Sequence, residues 1–352
     1  MRTVTTLESD PAASIAASEA EVALADGDTA RAREQFTLAG DLLKSEAESI
    51  RDSMRRNEQL FLAASQYFHG GEYEQARHLC GRIQPHLLSS ISRSAYSRFL
   101  MDVKERSRPE YAQEIKDQLL KLHSARRFEA ILSLLKIHPF VLRPGQLAYY
   151  RADCCEEIGD YRAAALFLSD ALRIGDAPFS PHCFAAGAIL TLGIRSRDKA
   201  WEFAKHLMEL LPHSLIDLSA SLTCYHQASA ASEADRPQLL NQQLELFATG
   251  RQIVLNDFTN ALELAHVNYL VSLAYQAAAL TLMRFSRLDD ARELAEFAVS
   301  LMPTNPYAAA VRDLILSGDE IAPLSAEAAI QTQQRRIADS LSKRPDLHSI
   351  SA

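Results

Sequence analysis

Apolar residues recur at helical spacing along most of the chain, in runs separated by short polar turns. In Glu156–Ala177, EEIGDYRAAALFLSDALRIGDA, a Gly-Asp-Tyr turn ends one run and opens another that is rich in alanine. After the turn, Tyr161 is followed by Ala164, Leu168 and Ala171, whose spacing puts them on one helix face. The pattern returns as Tyr73, Ala76, Cys80 and Ile83, and as Leu288, Ala291, Ala295 and Ala298. Shorter copies read Ala32/Phe36/Ala39, Ala130/Leu134/Ile137 and Ala200/Ala204/Leu207, although Phe128 stands only two residues before Ala130. Upstream of the turns, Ala64, Ala152, Ala188 and Ala279 supply small residues on the matching face of a preceding helix. Alanine on both faces lets two backbones approach closely, while the turn residue plugs the end of the pair. The pattern therefore predicts helical hairpins, each closed by a turn of about two to four residues.

This grammar resembles the tetratricopeptide repeat, a helix–turn–helix unit of about 34 residues. Ala130 and Ala164 are 34 residues apart, and Ala164 and Ala200 are 36 apart. The copy over Ser272–Asn305 matches best, through Tyr275, Ala279, Leu282, Ala291, Ala295, Ala298 and Pro303. The tryptophan usual near a repeat start is missing, and the single Trp201 falls in a second helix. The resemblance implies an all-α, right-handed superhelical solenoid of antiparallel helix pairs. It also implies a concave groove, lined by first helices, that holds a peptide.

Residues 1–12 are read as disordered and 13–317 as the repeat domain. The first pair is placed at 14–25 and 28–45, its second helix either stopping there or running on through 44–68. Residues 215–231 and 236–254 read as a longer pair, and 257–284 as one long helix or two stacked ones. The span 318–344 is read as a C-terminal capping helix, since its stretch 325–344 keeps only Ile330, Ile337 and Leu341 apolar. A partner-binding amphipathic helix is the alternative there. The tail 345–352 is read as disordered.

Composition supports helix, since alanine and leucine dominate and glycine and proline number only 12 and 13. A net charge of −8 argues against a nucleic-acid partner. Charge is uneven, however, with fourteen bases against nine acids over 51–127. The N-terminus lacks the apolar core of a signal peptide, and no run reaches the ~18 apolar residues of a membrane span. Five cysteines within apolar helical patterns fit buried, reduced thiols and a cytoplasmic protein. The oligomeric state is left open.

No glycine-rich phosphate loop, Cys-x-x-Cys pair, His-Glu-x-x-His helix or Gly-x-Ser-x-Gly elbow occurs. Cys154 and Cys155 are adjacent and point to different helix faces, so they do not suit one metal ion. No catalytic residue, metal or cofactor is therefore expected. Carried over position by position, the resemblance assigns the groove to Phe61 and Ser65, to Tyr149, Asp153 and Glu156, and to His182. Tyr149, Asp153 and Glu156 form one stripe, opposite Ala148, Ala152 and Cys155, and are read as the face left free to bind. The function expected is a non-enzymatic interaction scaffold for a protein or peptide, with no membrane association. A regulatory or substrate-recruiting subunit of an enzyme complex is the alternative.

Overall fold

The computed structural model describes residues 11–177, 179–253 and 261–317, together with 330 and 333. Among them all regular structure is helical. The chain forms two compact units that divide between Pro144 and Gly145.

The N-terminal unit contains α1 (Pro11–Ala25), α2 (Thr29–Ser49), α3 (Ser53–His69), α4 (Tyr73–Cys80), α5 (Ser90–Arg106), α6 (Tyr111–Ser124) and α7 (Phe128–Ile137). Sequence neighbours pack on one another from α1 through α6, and α6 on α7. Helix α2 does not run on into α3. Ile50 turns extended, and the Asp52 side chain caps the new helix by accepting from the Arg55 N–H at 2.7 Å. Pro11 and Ala12, expected outside the first helix, lie in α1; residues 1–10 are outside the described part.

The C-terminal unit contains α8 (Pro144–Ile158), α9 (Tyr161–Ile174), α10 (Pro181–Arg195), α11 (Arg197–Leu210), α12 (Ser214–Ala230), α13 (Arg236–Gly250), α14 (Ala261–Arg284), α15 (Leu288–Leu301) and α16 (Pro306–Ser317). Contacts again run mainly between successive helices, and α12 also packs on α10 and α14. The expected capping helix and tail lie outside the described residues except for Ile330 and Gln333, which are helical and buried.

Five hairpins close in the same way. Gly27, Gly71, Arg126, Gly159 and Ser286 take left-handed backbone angles, with φ between 54° and 89°. At each, the next residue donates its N–H to the carbonyl five residues back. The bonds are Asp28 to Ala23, Glu72 to Tyr67, Arg127 to Leu122, Asp160 to Cys155 and Arg287 to Leu282, all at 2.8–2.9 Å. This is a Schellman closure, and its last residue is also the N-cap of the following helix. Five residues after each left-handed position stands the packing anchor: Ala32, Ala76, Ile131, Ala164 or Ala291, each at most 1% exposed. The α10–α11 hairpin differs, because Ser196 joins its helices in an extended conformation.

That register corrects two expectations. Ala130 is exposed and Ile137 is 58% exposed, whereas Phe128, Ile131 and Leu135 are buried. The true stripe starts at the turn residue and runs one position later than the alanine suggests. Leu288, expected to plug its hairpin, is 40% exposed.

Arg126 and Ser286 carry a Cβ in a conformation that costs L-residues about 1–2 kcal/mol. Part of that gain returns as unfolded-state entropy when glycine is introduced. Arg126→Gly and Ser286→Gly should each raise stability by about 0.5–1 kcal/mol in denaturant unfolding. A loss of stability at either site would contradict the turn assignment.

Candidate functional site

Phe61 and Ser65 lie one turn apart on α3 and are half-buried. The face they share is covered by α5, a helix without an alanine anchor that the repeat pattern does not reveal. Phe61 meets Tyr96 and Phe99 edge-on at 5.6 and 5.5 Å. The aromatic seam continues through Phe68, Tyr73 and Tyr111, with centroids 5.2–5.9 Å apart. The Arg106 guanidinium lies 4.9 Å above the Phe68 ring. The Tyr96 hydroxyl donates to the Cys80 carbonyl at 2.8 Å, which ties α5 to α4. The periodic Ser92, Tyr96, Phe99 and Val103 were the available signal for this helix.

The stripe of Tyr149, Asp153 and Glu156 is not the free face of α8. The three residues are 5%, 2% and 5% exposed, and Ala148, Ala152 and Cys155 opposite them are buried as well. Phe184 of α10 stacks edge-on against Tyr149 at 4.8 Å. Arg195, at the end of α10, approaches Glu157 at 4.0 Å. A helical wheel resolves two stripes, but it does not show a third helix arriving to cover the second.

His182, by contrast, opens onto a cavity. Helix α9 stops at Gly175, whose φ of +80° lets the chain leave the helix, and α10 begins at the Ser180 cap with Pro181 in its first turn. His182 follows. Its ring stacks on that of His213, the N-cap of α12, with centroids 4.0 Å apart and planes 16° apart. His213 Nδ1 accepts the Leu215 N–H at 3.1 Å, which orients its imidazole. Glu263, in the first turn of α14, accepts the Ser180 N–H at 2.8 Å. These groups, with Leu172 and Phe179, line an open cleft of about 470 Å³.

Burial pushes His182 down to about 4, and the neighbouring His213 adds to the shift. At neutral pH the ring is therefore uncharged and a poor proton acceptor, because a general base works best near the ambient pH. The cleft offers a flat imidazole pair, one carboxylate and an apolar rim: features that suit docking better than proton transfer. Burial acts on the thiols as well. All five cysteines are buried, and burial raises Cys80, Cys155, Cys183 and Cys224 well above the range of a nucleophilic thiol.

Among the described residues no group of three or more His, Cys, Asp or Glu side chains could hold a metal ion. No described helix is long and apolar enough to cross a membrane. No protein-family model matches the chain, and no curated protein matches it.

Proposed function

We propose that this chain is an interaction scaffold of the tetratricopeptide type, which holds a protein or peptide partner on its helical array. One observation carries the reading. The same hairpin closure recurs at Gly27, Gly71, Arg126, Gly159 and Ser286, each five residues before a buried anchor. The same closure gives these hairpins one local geometry, and repetition of one helix–turn–helix unit is the property on which the extended surfaces of repeat proteins rest. The cleft at His182 and Glu263 is the surface site best suited to take a partner side chain. The alternative role, recruitment of substrate to an enzyme, would use the same surface.

Leu172 lies on the rim of that cleft and is 45% exposed, so Leu172→Asp should leave folding intact. Leu38, also 45% exposed but in the N-terminal unit, provides the control Leu38→Asp. In affinity capture from native lysate, wild type and Leu38→Asp should retain a stoichiometric partner that Leu172→Asp loses. Retention by all three proteins would move the site elsewhere. Absence of any stoichiometric partner would overturn the scaffold reading.

A further inference from the structure

Glu263 is the one carboxylate on the wall of the His182 cleft, and no lysine or arginine lines that wall. It stands half-buried in the first turn of α14, and its Oε1 accepts the Ser180 N–H at 2.8 Å. That bond fixes the carboxylate against the start of α10 and uses one of its four or so acceptor sites. Among the described residues no base pairs with it. His266, one turn further along α14, is held by burial below the ordinary histidine value although Glu263 pulls it up, so its ring does not offset the charge at neutral pH.

The facing wall is flat. His182 and His213 each spend one ring face on the other. His182 has no second ring partner among the described residues, so a third planar group can extend the stack. Its ring is uncharged at neutral pH and does not repel a cation laid on it. Leu172 and Phe179 complete the lining with apolar surface.

A carboxylate beside an aromatic plane and an aliphatic rim matches three parts of one side chain. A guanidinium is planar and weakly hydrated, pairs with a carboxylate through two parallel N–H groups, and stacks on rings. Its methylene stem lies along apolar surface. An ammonium brings the charge without the plane and holds its water more tightly. An anion would meet Glu263 with no base to offset it. The cleft, about 470 Å³, also falls within the ~300–1,000 Å³ range of ligand sites, so it has room for more than a bare guanidinium.

We propose that the His182 cleft is an arginine pocket, in which the guanidinium of a partner peptide pairs with Glu263 and stacks on the outer face of His182 while an apolar neighbour of that arginine rests on Leu172 and Phe179. This inference rests on the scaffold reading and names the side chain that its cleft selects.

The test uses the full chain and dye-labelled hexapeptides of sequence Gly-Ser-Leu-Arg-Ser-Gly, with lysine or citrulline in place of the arginine in two further peptides. Lysine keeps the charge and loses the plane; citrulline keeps the plane and loses the charge. By fluorescence anisotropy the arginine peptide should bind saturably, and each of the other two at least about 10-fold more weakly. Glu263→Gln retains an oxygen for the Ser180 N–H, and it should weaken the arginine peptide about 10-fold while leaving the citrulline peptide unchanged. Equal binding of the three peptides, or none of the arginine peptide, would overturn the proposal, and both comparisons stand on wild type alone should the variant misfold. Free arginine as competitor should be weaker than the unlabelled peptide, and equal potency would overturn the role of the apolar neighbour. If the peptides fail while Leu172→Asp still loses a partner from lysate, the arginine pocket falls and the scaffold reading stands.

Discussion

Ala164→Leu should destabilise the C-terminal unit by about 1–3 kcal/mol, because a fully buried alanine at a close helix contact has no room for three more carbons. Each kcal/mol lost lowers the melting temperature of a unit this size by about 2–4 °C. The informative control is Ala130→Leu. The repeat pattern treats Ala130 and Ala164 as equivalent, but Ala130 is exposed, and the change there should stay within about ±0.5 kcal/mol. Denaturant unfolding of the two variants decides the point. Equal effects would mean that the Schellman register, with Ile131 as anchor, is misplaced.

Mild acid should weaken the C-terminal unit through His226. Its side chain is 6% exposed, and its Nε2 has no hydrogen-bond partner among the described residues. Burial pushes the group down to about 4, with the charge of Arg197 adding to the shift. The fold thus favours the neutral ring. Its contribution is fully present above the ordinary histidine value near 6.5 and is lost as pH falls from there toward 4. The loss for His226 is on the order of 1–3 kcal/mol. His182 titrates in the same window but adds less, since its ring is only partly buried. Carboxylates also respond to acid, so the readout is a difference: the drop in unfolding free energy between pH 7 and 4.5 should be smaller in His226→Leu than in wild type. Parallel pH profiles would remove His226 from the account.

Helix–turn–helix organisation was legible because alanine at a close contact leaves a mark at fixed distance from the turn. Tyr161, Ala164, Leu168 and Ala171 are all buried, as are Ala64, Ala152, Ala188 and Ala279 on the preceding helices. The mark misled at Ala130, where the anchor is Ile131 and the alanine beside it is incidental. The left-handed position is the better ruler. It is visible in sequence as Gly27, Gly71 and Gly159, but hidden at Arg126 and Ser286, where a side chain tolerates the strained angle. The candidate site was less legible. His182 and His213 are far apart in sequence, and their rings meet only because two helix starts converge. Tyr149, Asp153 and Glu156 looked free because a single helix cannot reveal what Phe184 of a later helix will cover.

The enclosed sulfurs make the molecule its own reporter. Burial raises Cys80 and Cys155 to about 11, and Cys183 and Cys224 to about 12, so alkylating reagents meet almost no thiolate while the helices stay closed. Modification must then await transient opening, and its rate counts how often each region exposes itself. Cys80 times the N-terminal unit; Cys155, Cys183 and Cys224 time the other. Two sets of clocks thus run in one native chain, and a single cysteine engineered onto the surface could be labelled with a dye without first stripping out the natural five.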